Sequence, residues 1–457
     1  MEKHSLDKVI SLAKRKGFIY QGSSIYGGLA GTWDYGPLGV TLKNNIKNIW
    51  WKQFVEGRED MYGMDAAILM NHKVWEATGH VGAFHDPLVE DERTKKRYRA
   101  DHILEEAGID VAGMSITDMD KVLKEKDIKS PDGNSLGDVV QFNMMLKTEV
   151  GVTGGEDSIS YLRPETAQGM FVNYKNVVDS FSPKLPFGLG QIGKAFRNEI
   201  APRDFVFRTR EFEQMEVEYF VHPDSWKEHF EMWQKEMWEF TKAVGLPQDL
   251  IHELEVGEGD RAHYSERTID FEFDFPFGRK ELYGLAYRTD YDLRKHMESG
   301  KEKLEYTDSS TGEKFIPHVI EPSLGLDRTV LAILTSAYTE DVVDDNPRTF
   351  LKLSKDVAPV QVAVFPLVKN KEDIVNKAKE VYQLLKAAGL RVVFDDNGNT
   401  GKRYRRQDEI GTPYCVTVDY DSLEDGTVTL RERDSGKQER IDIEGKEGDE
   451  FVFKLLR

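Results

Sequence analysis

The sequence predicts two folding units: an α+β domain built on an antiparallel sheet, then a C-terminal three-layer α/β domain. Residues 190–220 read as a long antiparallel hairpin whose second half alternates between apolar and polar side chains, and residues 269–275 alternate in the same way. Across residues 355–359 the pattern changes to short apolar strands separated by helical periods. We therefore expect domains over residues 1–350 and 357–457, with a polar subdomain inserted at about 86–155.

The hairpin is the segment with the most chemical information. Met215, Val217 and Tyr219 would face a core, while the other face carries Phe212, Gln214, Glu216 and Glu218. The first strand places Ala195, Arg197 and Glu199 on one face, and the arginines of the connecting loop are Arg203, Arg208 and Arg210. An open face of arginines, carboxylates and an aromatic ring suits an adenine nucleotide. A solvated hairpin with paired charges is the alternative.

The remaining elements follow from periodicity and are expected to pack around this hairpin. Leu42, Ile46, Ile49 and Phe54 form one stripe of a helix after Pro37, and a second apolar helix spans about 226–244. Residues 318–324 read as a strand that leads into a helix from about 325 to 338. In the tail, strands are predicted at 360–365, 390–395 and 414–419, in a mostly parallel sheet, with helices at 371–388 and 402–410.

Composition narrows the function classes. The 457 residues include a single cysteine, Cys415, which excludes internal disulfides and Cys-rich zinc sites. The net charge of −19 argues against nonspecific nucleic-acid binding by the whole surface, although a local basic track is compatible with it. No apolar run approaches the roughly 20 residues that span a bilayer. The amphipathic N-terminal segment lacks a signal peptide's apolar centre, so we expect a cytoplasmic protein without membrane contact.

The segments 196–199 (Phe-Arg-Asn-Glu) and 208–212 (Arg-Thr-Arg-Glu-Phe) resemble motif 2 of the class II aminoacyl-tRNA synthetases, in the homodimeric glycyl branch. The turn and helix after Tyr35-Gly36-Pro37 resemble motif 1, and residues 325–328 (Gly-Leu-Asp-Arg) resemble motif 3. The segments 163–167 (Arg-Pro-Glu-Thr-Ala) and 321–323 (Glu-Pro-Ser) match the same branch. The resemblance covers nearly the whole chain in family order and implies a class II synthetase fold with a C-terminal anticodon-binding domain.

The resemblance implies an ATP-dependent ligase that forms glycyl-adenylate and transfers glycine to the 3′ end of tRNA-Gly. Its catalytic residues would be Arg197, Glu199 and Arg328. Glu281 would be a Mg²⁺ ligand, and no zinc is expected. The implied ATP-binding residues are Arg197, Asn198, Glu199, Arg208, Phe212, Glu281, Leu282, Gly325 and Arg328.

The implied amino-acid pocket is acidic. Three carboxylates in one place repel each other unless a cation lies among them, and an ammonium group supplies that cation. Glycine is the smallest amino acid, so every competitor can be excluded by steric clash, and no editing domain is needed. The implied glycine-binding residues are Arg99, Glu165, Gln214, Glu216, Glu321 and Ser323.

The resemblance also implies partners. Motif 1 forms the dimer interface of the family, so a homodimer through the helix after Pro37 is expected, although periodicity alone also allows an internal packing helix. The basic run in the tail is the candidate tRNA-binding surface, although a solvated helix face would have the same pattern. It consists of Lys402, Arg403, Arg405 and Arg406.

Two other functions are open at this stage. A non-catalytic subunit with a synthetase-like fold would have no reason to retain Arg197, Glu199, Phe212, Glu281 and Arg328 together. A class II synthetase for another amino acid is disfavoured by the three glutamates. No phosphate-binding GxxxxGK[ST] loop, GxGxxG fingerprint or HExxH motif is present.

Overall fold

The computed structural model describes residues 5–111, 113–152, 158–343, 346–443, 451, 452 and 455. The expected boundaries at residues 155 and 457 lie outside these residues. Within them, no helix combines the length and the apolar character that crossing a bilayer requires.

The N-terminal elements enclose one side of the main core. Helix α2 continues into a π-helical segment at Lys52–Glu56, and a short 3₁₀ turn lies at Ser24–Tyr26. The elements are α1 (Leu6–Lys16), β1 (Ile19–Gln21), β2 (Trp33–Tyr35), α2 (Pro37–Trp51) and β3 (Met61–Met64).

The insertion follows and has a small core of its own. Strands β5, β4 and β6 form a three-stranded sheet, on which Val89, Leu104 and Leu123 are buried with neighbouring apolar residues. The prediction of a polar stretch was therefore incomplete, because about every fourth residue of its helices packs inward. The elements are α3 (Lys73–Ala77), α4 (His80–Ala83), β4 (His85–Glu90), β5 (Arg97–Arg99), α5 (Ala100–Glu106), α6 (Ile116–Glu125), β6 (Val140–Asn143), β7 (Leu146–Glu149) and β8 (Ile159–Leu162).

The predicted antiparallel sheet is confirmed. Seven strands lie in the order β11-β12-β13-β16-β10-β9-β3, and all pairs are antiparallel except β3 with β9. The elements from here to the tail are α7 (Ala167–Phe181), β9 (Phe187–Phe196), β10 (Glu211–Val221), α8 (Trp226–Ala243), β11 (Ile251–Glu255), β12 (Arg267–Phe275), β13 (Gly278–Thr289), α9 (Tyr291–Gly300), β14 (Tyr306–Thr307), β15 (Lys314–Phe315), β16 (His318–Gly325), α10 (Leu326–Ala337), β17 (Tyr338–Val343) and β18 (Asn346–Leu351).

The hairpin β9–β10 alternates as predicted, but its polar face is not open along its length. Met215, Val217 and Tyr219 lie in the main core, and Glu216 and Glu218 on the other face are also buried. Strand β9 ends at Phe196, so Arg197 and Glu199 lie in the segment just beyond the strand. The solvated-hairpin alternative is therefore wrong.

The apolar stripe of α2 packs inside the chain. Leu42, Ile46 and Phe54 are fully buried in the same core as the sheet, and Ile49 packs against it. The stripe itself is therefore the internal packing helix that periodicity allowed, and a dimer would have to use a different face.

The tail has the three layers predicted, with a mixed sheet. Strands β20, β19 and β21 are parallel, but β22 and β23 add two antiparallel pairs that the sequence reading missed. The apolar side chains of α11 cover one face of the sheet, and Tyr404 of α12 covers the other. The elements are β19 (Val362–Pro366), α11 (Glu372–Ala387), β20 (Val392–Phe394), α12 (Thr400–Ile410), β21 (Tyr414–Val418), α13 (Asp421–Glu424), β22 (Thr427–Glu432) and β23 (Gln438–Asp442).

Candidate active site

A cavity of about 380 Å³ opens on the polar face of the central sheet. Strands β10, β13 and β16 form its floor, and the first turn of α10 closes one side. Asn198 and Arg99 do not line the cavity. The predicted nucleotide and glycine residues that do line it are Glu165, Arg197, Glu199, Arg208, Phe212, Gln214, Glu216, Glu281, Leu282, Glu321, Ser323, Gly325 and Arg328.

Glu216 anchors the acidic end of the cavity. It lies opposite Ser323 in the register of β10 with β16, so the two side chains share a face. The carboxylate accepts hydrogen bonds from Ser323 Oγ at 2.6 Å, Gln214 Nε2 at 2.7 Å, and the backbone N–H and hydroxyl of Thr166. Burial and then the charge of Glu165 raise its pKa, against these donors.

Glu165 is held by a residue that the sequence reading overlooked. His80 Nε2 lies 3.3 Å from Glu165 Oε2, and Gln168 Nε2 donates to Oε1 at 3.1 Å. Burial alone would raise the pKa of Glu165, but the charge and hydrogen bond of His80 outweigh it and lower the pKa. Glu165 is thus an ionised carboxylate at the cavity wall.

Glu321 is paired with a buried arginine. Arg288 Nη1 donates to Glu321 Oε1 at 2.8 Å, and the same guanidinium binds both oxygens of Asp292 at 2.8 and 2.9 Å. The ring of Tyr264 lies 3.8 Å from the guanidinium. The guanidinium of Arg288 is therefore a permanent cation that already lies among the carboxylates. The sequence analysis had expected the ammonium group of the substrate to be the cation there. The four-residue spacing of Arg288 and Asp292 was a signal that could have revealed the pair.

Glu218 lies behind these residues. It is fully buried, and neither carboxyl oxygen has a hydrogen-bond partner among the described residues. Burial and then the charge of Glu321 raise the pKa of Glu218 well above its usual range, although Arg288 opposes the rise. This environment favours the neutral form of the carboxyl group.

Arg197 lines the cavity close to two aromatic rings. Its guanidinium lies between the rings of Phe84 and Phe212, 5.4 and 5.3 Å from their centroids, and its Nε donates to Pro164 O at 3.1 Å. The cation near the ring of Phe212 is therefore Arg197. Asn198, one residue on, donates its backbone N–H to Met144 O at 2.8 Å.

Glu199 and Arg208 face each other across the loop of the hairpin. Arg208 Nε lies 3.6 Å from Glu199 Oε2, and Glu199 is almost completely buried. Burial raises the pKa of Glu199, and the Arg208 and Arg197 charges offset part of the rise. The arrangement leaves a carboxyl group beside two arginines, as a site for an adenine amino group and phosphates requires.

Arg328 occupies the first turn of α10, as predicted. Its Nη1 contacts Glu281 Oε2 at 3.1 Å and Glu281 O at 3.0 Å, and the guanidinium lies 4.5 Å from the ring centroid of Phe207. The charge of Arg328 lowers the pKa of Glu281. Asp270 lines the same part of the cavity, and burial followed by the charge of Glu281 raises its pKa to about 7.

Asp270 and Glu281 are the residues on the phosphate side with the chemistry to hold Mg²⁺. Carboxylate oxygens are hard ligands, and Mg²⁺ is usually held by one or two of them together with phosphate oxygens. No group of three or more His, Cys, Asp or Glu residues arranged for a metal occurs in the described part of the chain.

Arg99 belongs to the insertion and is committed to two carboxylates. Its guanidinium contacts Asp86 Oδ2 at 2.6 Å and Asp101 Oδ1 at 3.1 Å. It does not line the cavity, so the structure does not place it among the other residues predicted to bind glycine.

The basic run of the tail divides into exposed and structural residues. Lys402 is exposed, and Arg406 is half-exposed with its guanidinium on Asp395 at 2.6 Å. Arg405 is partly buried. Arg403 is buried and donates to the carbonyls of Pro366, Asp396 and Gly398, so its expected contact with tRNA is at odds with this position.

Comparison with known proteins supports the same assignment over the full chain. Residues 152–337 match the model of the tRNA synthetase class II core domain (G, H, P, S and T), and residues 361–446 match that of the anticodon-binding domain. The glycine–tRNA ligase of Bacillus thuringiensis subsp. konkukian is 48% identical over 99% of this chain and 100% of its own length. That of Caldanaerobacter subterraneus subsp. tengcongensis is 49% identical over 100% and 99%. The chain therefore belongs to the glycine–tRNA ligase family of class II aminoacyl-tRNA synthetases.

Proposed function

We propose that this chain activates glycine with ATP and transfers it to tRNA-Gly. In the first step a carboxylate oxygen of glycine attacks the α-phosphorus of ATP, and the bond to the bridging oxygen of pyrophosphate breaks. Glycyl-adenylate and pyrophosphate result. In the second step a hydroxyl of the terminal adenosine of tRNA attacks the acyl carbon and AMP leaves.

The observation that carries the proposal is the division of one cavity into an acidic and a basic end. Glu165, Glu216 and Glu321 line the cavity together with Arg197, Arg208 and Arg328. The register of β10 with β16 sets the two groups apart, because Glu216 lies opposite Ser323 while Gln214, nearer Phe212, lies opposite Gly325 at the start of α10. Glycine places an ammonium and a carboxylate within one short molecule, so it can bridge the two ends. The carboxylate then lies next to the arginine that also reaches the α-phosphate.

The residues act mostly by positioning and by stabilising charge. Arg197 holds the glycine carboxylate and the α-phosphate, where negative charge develops during the attack. Arg208 and Arg328 hold the outer phosphates, and Phe212 stacks on adenine while Glu199 accepts from its amino group. No enzyme nucleophile is required, because the substrate carboxylate is itself the nucleophile.

Mg²⁺ fits the donor set on the phosphate side. Asp270 and Glu281 would hold it, since the charge of Glu281 raises the pKa of Asp270 and a cation between the two carboxylates would relieve that repulsion. When bound, the ion would neutralise phosphate charge. Arg328, which contacts Glu281 in the free protein, would be released to the phosphates.

The acidic end also explains the choice of the smallest amino acid. The oxygens of Glu216 are tied to Ser323, Gln214 and Thr166, so the carboxylate cannot retreat from a larger side chain. A wall fixed in this way excludes methyl and larger groups by clash. No separate editing site is needed.

Two further features belong to the proposal by family resemblance: a homodimer and a cytoplasmic location. Since the stripe of α2 is internal, the dimer surface would be formed by exposed apolar side chains of the segment between β1 and β2 and by Val40 of α2. Ile25 and Tyr26 are each 86% exposed, and Leu29 and Val40 are also exposed. Large exposed apolar groups of this kind mark interaction surfaces when they cluster.

Amino-acid-dependent pyrophosphate exchange, run with each standard amino acid, tests the proposal. Exchange is expected with glycine alone, and Glu321→Gln should raise the glycine KM while the ATP KM stays unchanged. Exchange driven by another amino acid would identify a different synthetase. Absence of exchange with every amino acid would indicate a non-catalytic subunit.

A further inference from the structure

The short helix α4 and the residue that follows it touch both ends of the amino-acid site. His80 begins the helix and reaches Glu165, and Phe84 lies just after the helix and contacts Arg197. These are the two residues that would hold the ammonium and the carboxylate of glycine. Neither His80 nor Phe84 lines the cavity, so their contribution passes through Glu165 and Arg197.

The hydrogen bonds of His80 determine what it does to Glu165. Thr78 Oγ1 lies 2.7 Å from His80 Nδ1 and 3.0 Å from Val74 O, so the ring is held from one side. The other nitrogen, Nε2, faces the Glu165 carboxylate at 3.3 Å and donates to it. With one nitrogen held by Thr78 and the other donating to Glu165, the ring fixes the carboxylate in one orientation.

Phe84 fixes Arg197 by a different interaction. The guanidinium is stacked between Phe84 and Phe212, and a cation that is held over an aromatic face loses freedom to rotate. Pro164 O accepts a hydrogen bond from the Nε–H of Arg197. Phe212 is expected to turn one face to adenine, so Phe84 is the ring that remains for the arginine.

The backbone joins this segment to the inserted subdomain. Phe84 O accepts from Met144 N at 3.1 Å, and Met144 O accepts from Asn198 N at 2.8 Å. Phe84 stands immediately before β4 and Met144 immediately after β6, the first and last strands of the three-stranded sheet in the insertion. The two ends of this part of the insertion are therefore bonded to each other and to the neighbour of Arg197.

We propose that His80 and Phe84 are positioning residues that set Glu165 and Arg197 at the separation glycine requires, and that the base of the insertion holds them there. This inference rests on the proposed function, which assigns the glycine contacts to Glu165 and Arg197. It adds His80 and Phe84 to the residues that support the amino-acid site. It also gives the insertion a part in amino-acid activation, in addition to any contact with RNA.

The test is glycine-dependent pyrophosphate exchange, with KM and kcat measured separately for glycine and ATP. His80→Ala should raise the glycine KM about tenfold and leave the ATP KM within about twofold, because only the ammonium end is disturbed. Phe84→Ala should lower kcat about tenfold, because Arg197 acts on the reacting atoms. Phe84→Tyr retains the ring and should restore kcat, and His80→Gln retains a donor and should restore part of the glycine affinity.

Two sets of controls separate the outcomes. Tyr98→Phe removes a hydrogen bond to Asp132 on the same subdomain, away from its base, and should change no kinetic constant. Glu165→Gln and Arg197→Ala test the assigned contacts directly. If these two lose activity while His80→Ala and Phe84→Ala match the wild type, the inference is wrong and the proposed function stands. If all four match the wild type, the site assignment itself fails. Equal losses in Phe84→Ala and Phe84→Tyr, with a lowered melting temperature, would reduce Phe84 to a structural role and overturn its assignment.

Discussion

Arg288 and Glu321 form a buried hydrogen-bonded pair, with Nη1 and Oε1 2.8 Å apart, at the acidic end of the cavity. The same arginine grips both oxygens of Asp292, so its position does not depend on Glu321. The result is a glutamate with one oxygen committed to a fixed cation and the other left for a ligand.

Arg288→Lys is expected to raise the glycine KM about tenfold with little change in the ATP KM. Lysine keeps the charge but lacks the planar fork that binds Asp292 and Glu321 together, so Glu321 loses its fixed orientation. Glycine-dependent exchange measures both constants. Arg348→Lys is the matched control, since Arg348 is equally buried and paired with Asp341 and Asp408 outside the cavity. A glycine KM that changes equally in both variants would contradict the prediction.

Glycine binding should release a proton near neutral pH. Burial raises the pKa of Glu321 to about 8, and Glu216 and Glu165 add to the rise although the Arg288 charge opposes it. An ammonium favours the ionised carboxyl and lowers its pKa in the complex, so the proton leaves on binding below about pH 8. The glycine KM should therefore fall as the pH rises from about 6.5 to about 8. Calorimetry in buffers of different ionisation enthalpy counts the protons, and Glu321→Gln should abolish the release.

Arg328→Ala is expected to reduce adenylate formation by about 10²–10³-fold, the loss that follows removal of one transition-state contact. The fold should stay intact, because the side chain is only part-buried and contacts Glu281 and Phe207 at the cavity surface. Pyrophosphate exchange and the melting temperature check the two halves of the prediction. Arg294→Ala, on an exposed helical pair with Asp290, is the control. Near-normal exchange in Arg328→Ala would remove the motif 3 assignment.

The basic run of the tail should act on tRNA and not on glycine activation. Replacing Lys402, Arg405 and Arg406 by Ala is expected to raise the tRNA KM and to flatten its dependence on salt, while pyrophosphate exchange is unchanged. Arg403 stays intact in this variant because it is structural. Replacing Lys369, Lys371 and Lys379 removes the same charge from exposed positions elsewhere in the tail. Equal effects of the two triple variants would show that charge alone, and not this surface, matters.

The proposed dimer surface can be tested without altering the buried apolar stripe of α2. Ile25→Asp with Tyr26→Ser places polar groups at the two most exposed apolar positions between β1 and β2 and should shift the protein towards monomer. Sedimentation at micromolar concentration measures the change. A wild-type protein that sediments only as a 52.4 kDa species would remove the dimer from the proposal.

The sequence pattern within one strand or helix was sufficient to predict the position of a residue whose role depends on that element alone. The alternation along β10 placed Glu216 on the polar face, and the strand-to-helix turn placed Arg328 at the start of α10. The partners that hold these residues come from distant segments: His80 lies 85 positions before Glu165, and Arg288 lies 33 before Glu321. Only folding of the sheet brings these partners together, so the periodicity of apolar and polar residues within one strand or helix does not reveal them.

Arg403 shows how the same limit produces an error. A run of cations reads as a surface, but on a helix the positions four apart share a face, and Arg403 shares one with the buried Gln407. The carbonyls that bind its guanidinium lie at Pro366, Asp396 and Gly398, in a strand end and a loop. Their arrangement exists only in the folded tail.

The tail is joined to the body at several points. Asp408 of α12 binds Arg431 and meets Arg348 of β18, Glu409 pairs with Lys16, and Arg433 donates to Leu353 O. Val357 and Ala358 belong to the core of the central sheet, and Asn45 of α2 binds their carbonyls. The spacing between the cavity and α12, which carries the proposed tRNA-binding residues, is thus built into one continuous packing. A tRNA that contacts both α12 and the cavity must have a shape that fits this fixed distance. The enzyme would then select its tRNA by shape as well as by charge.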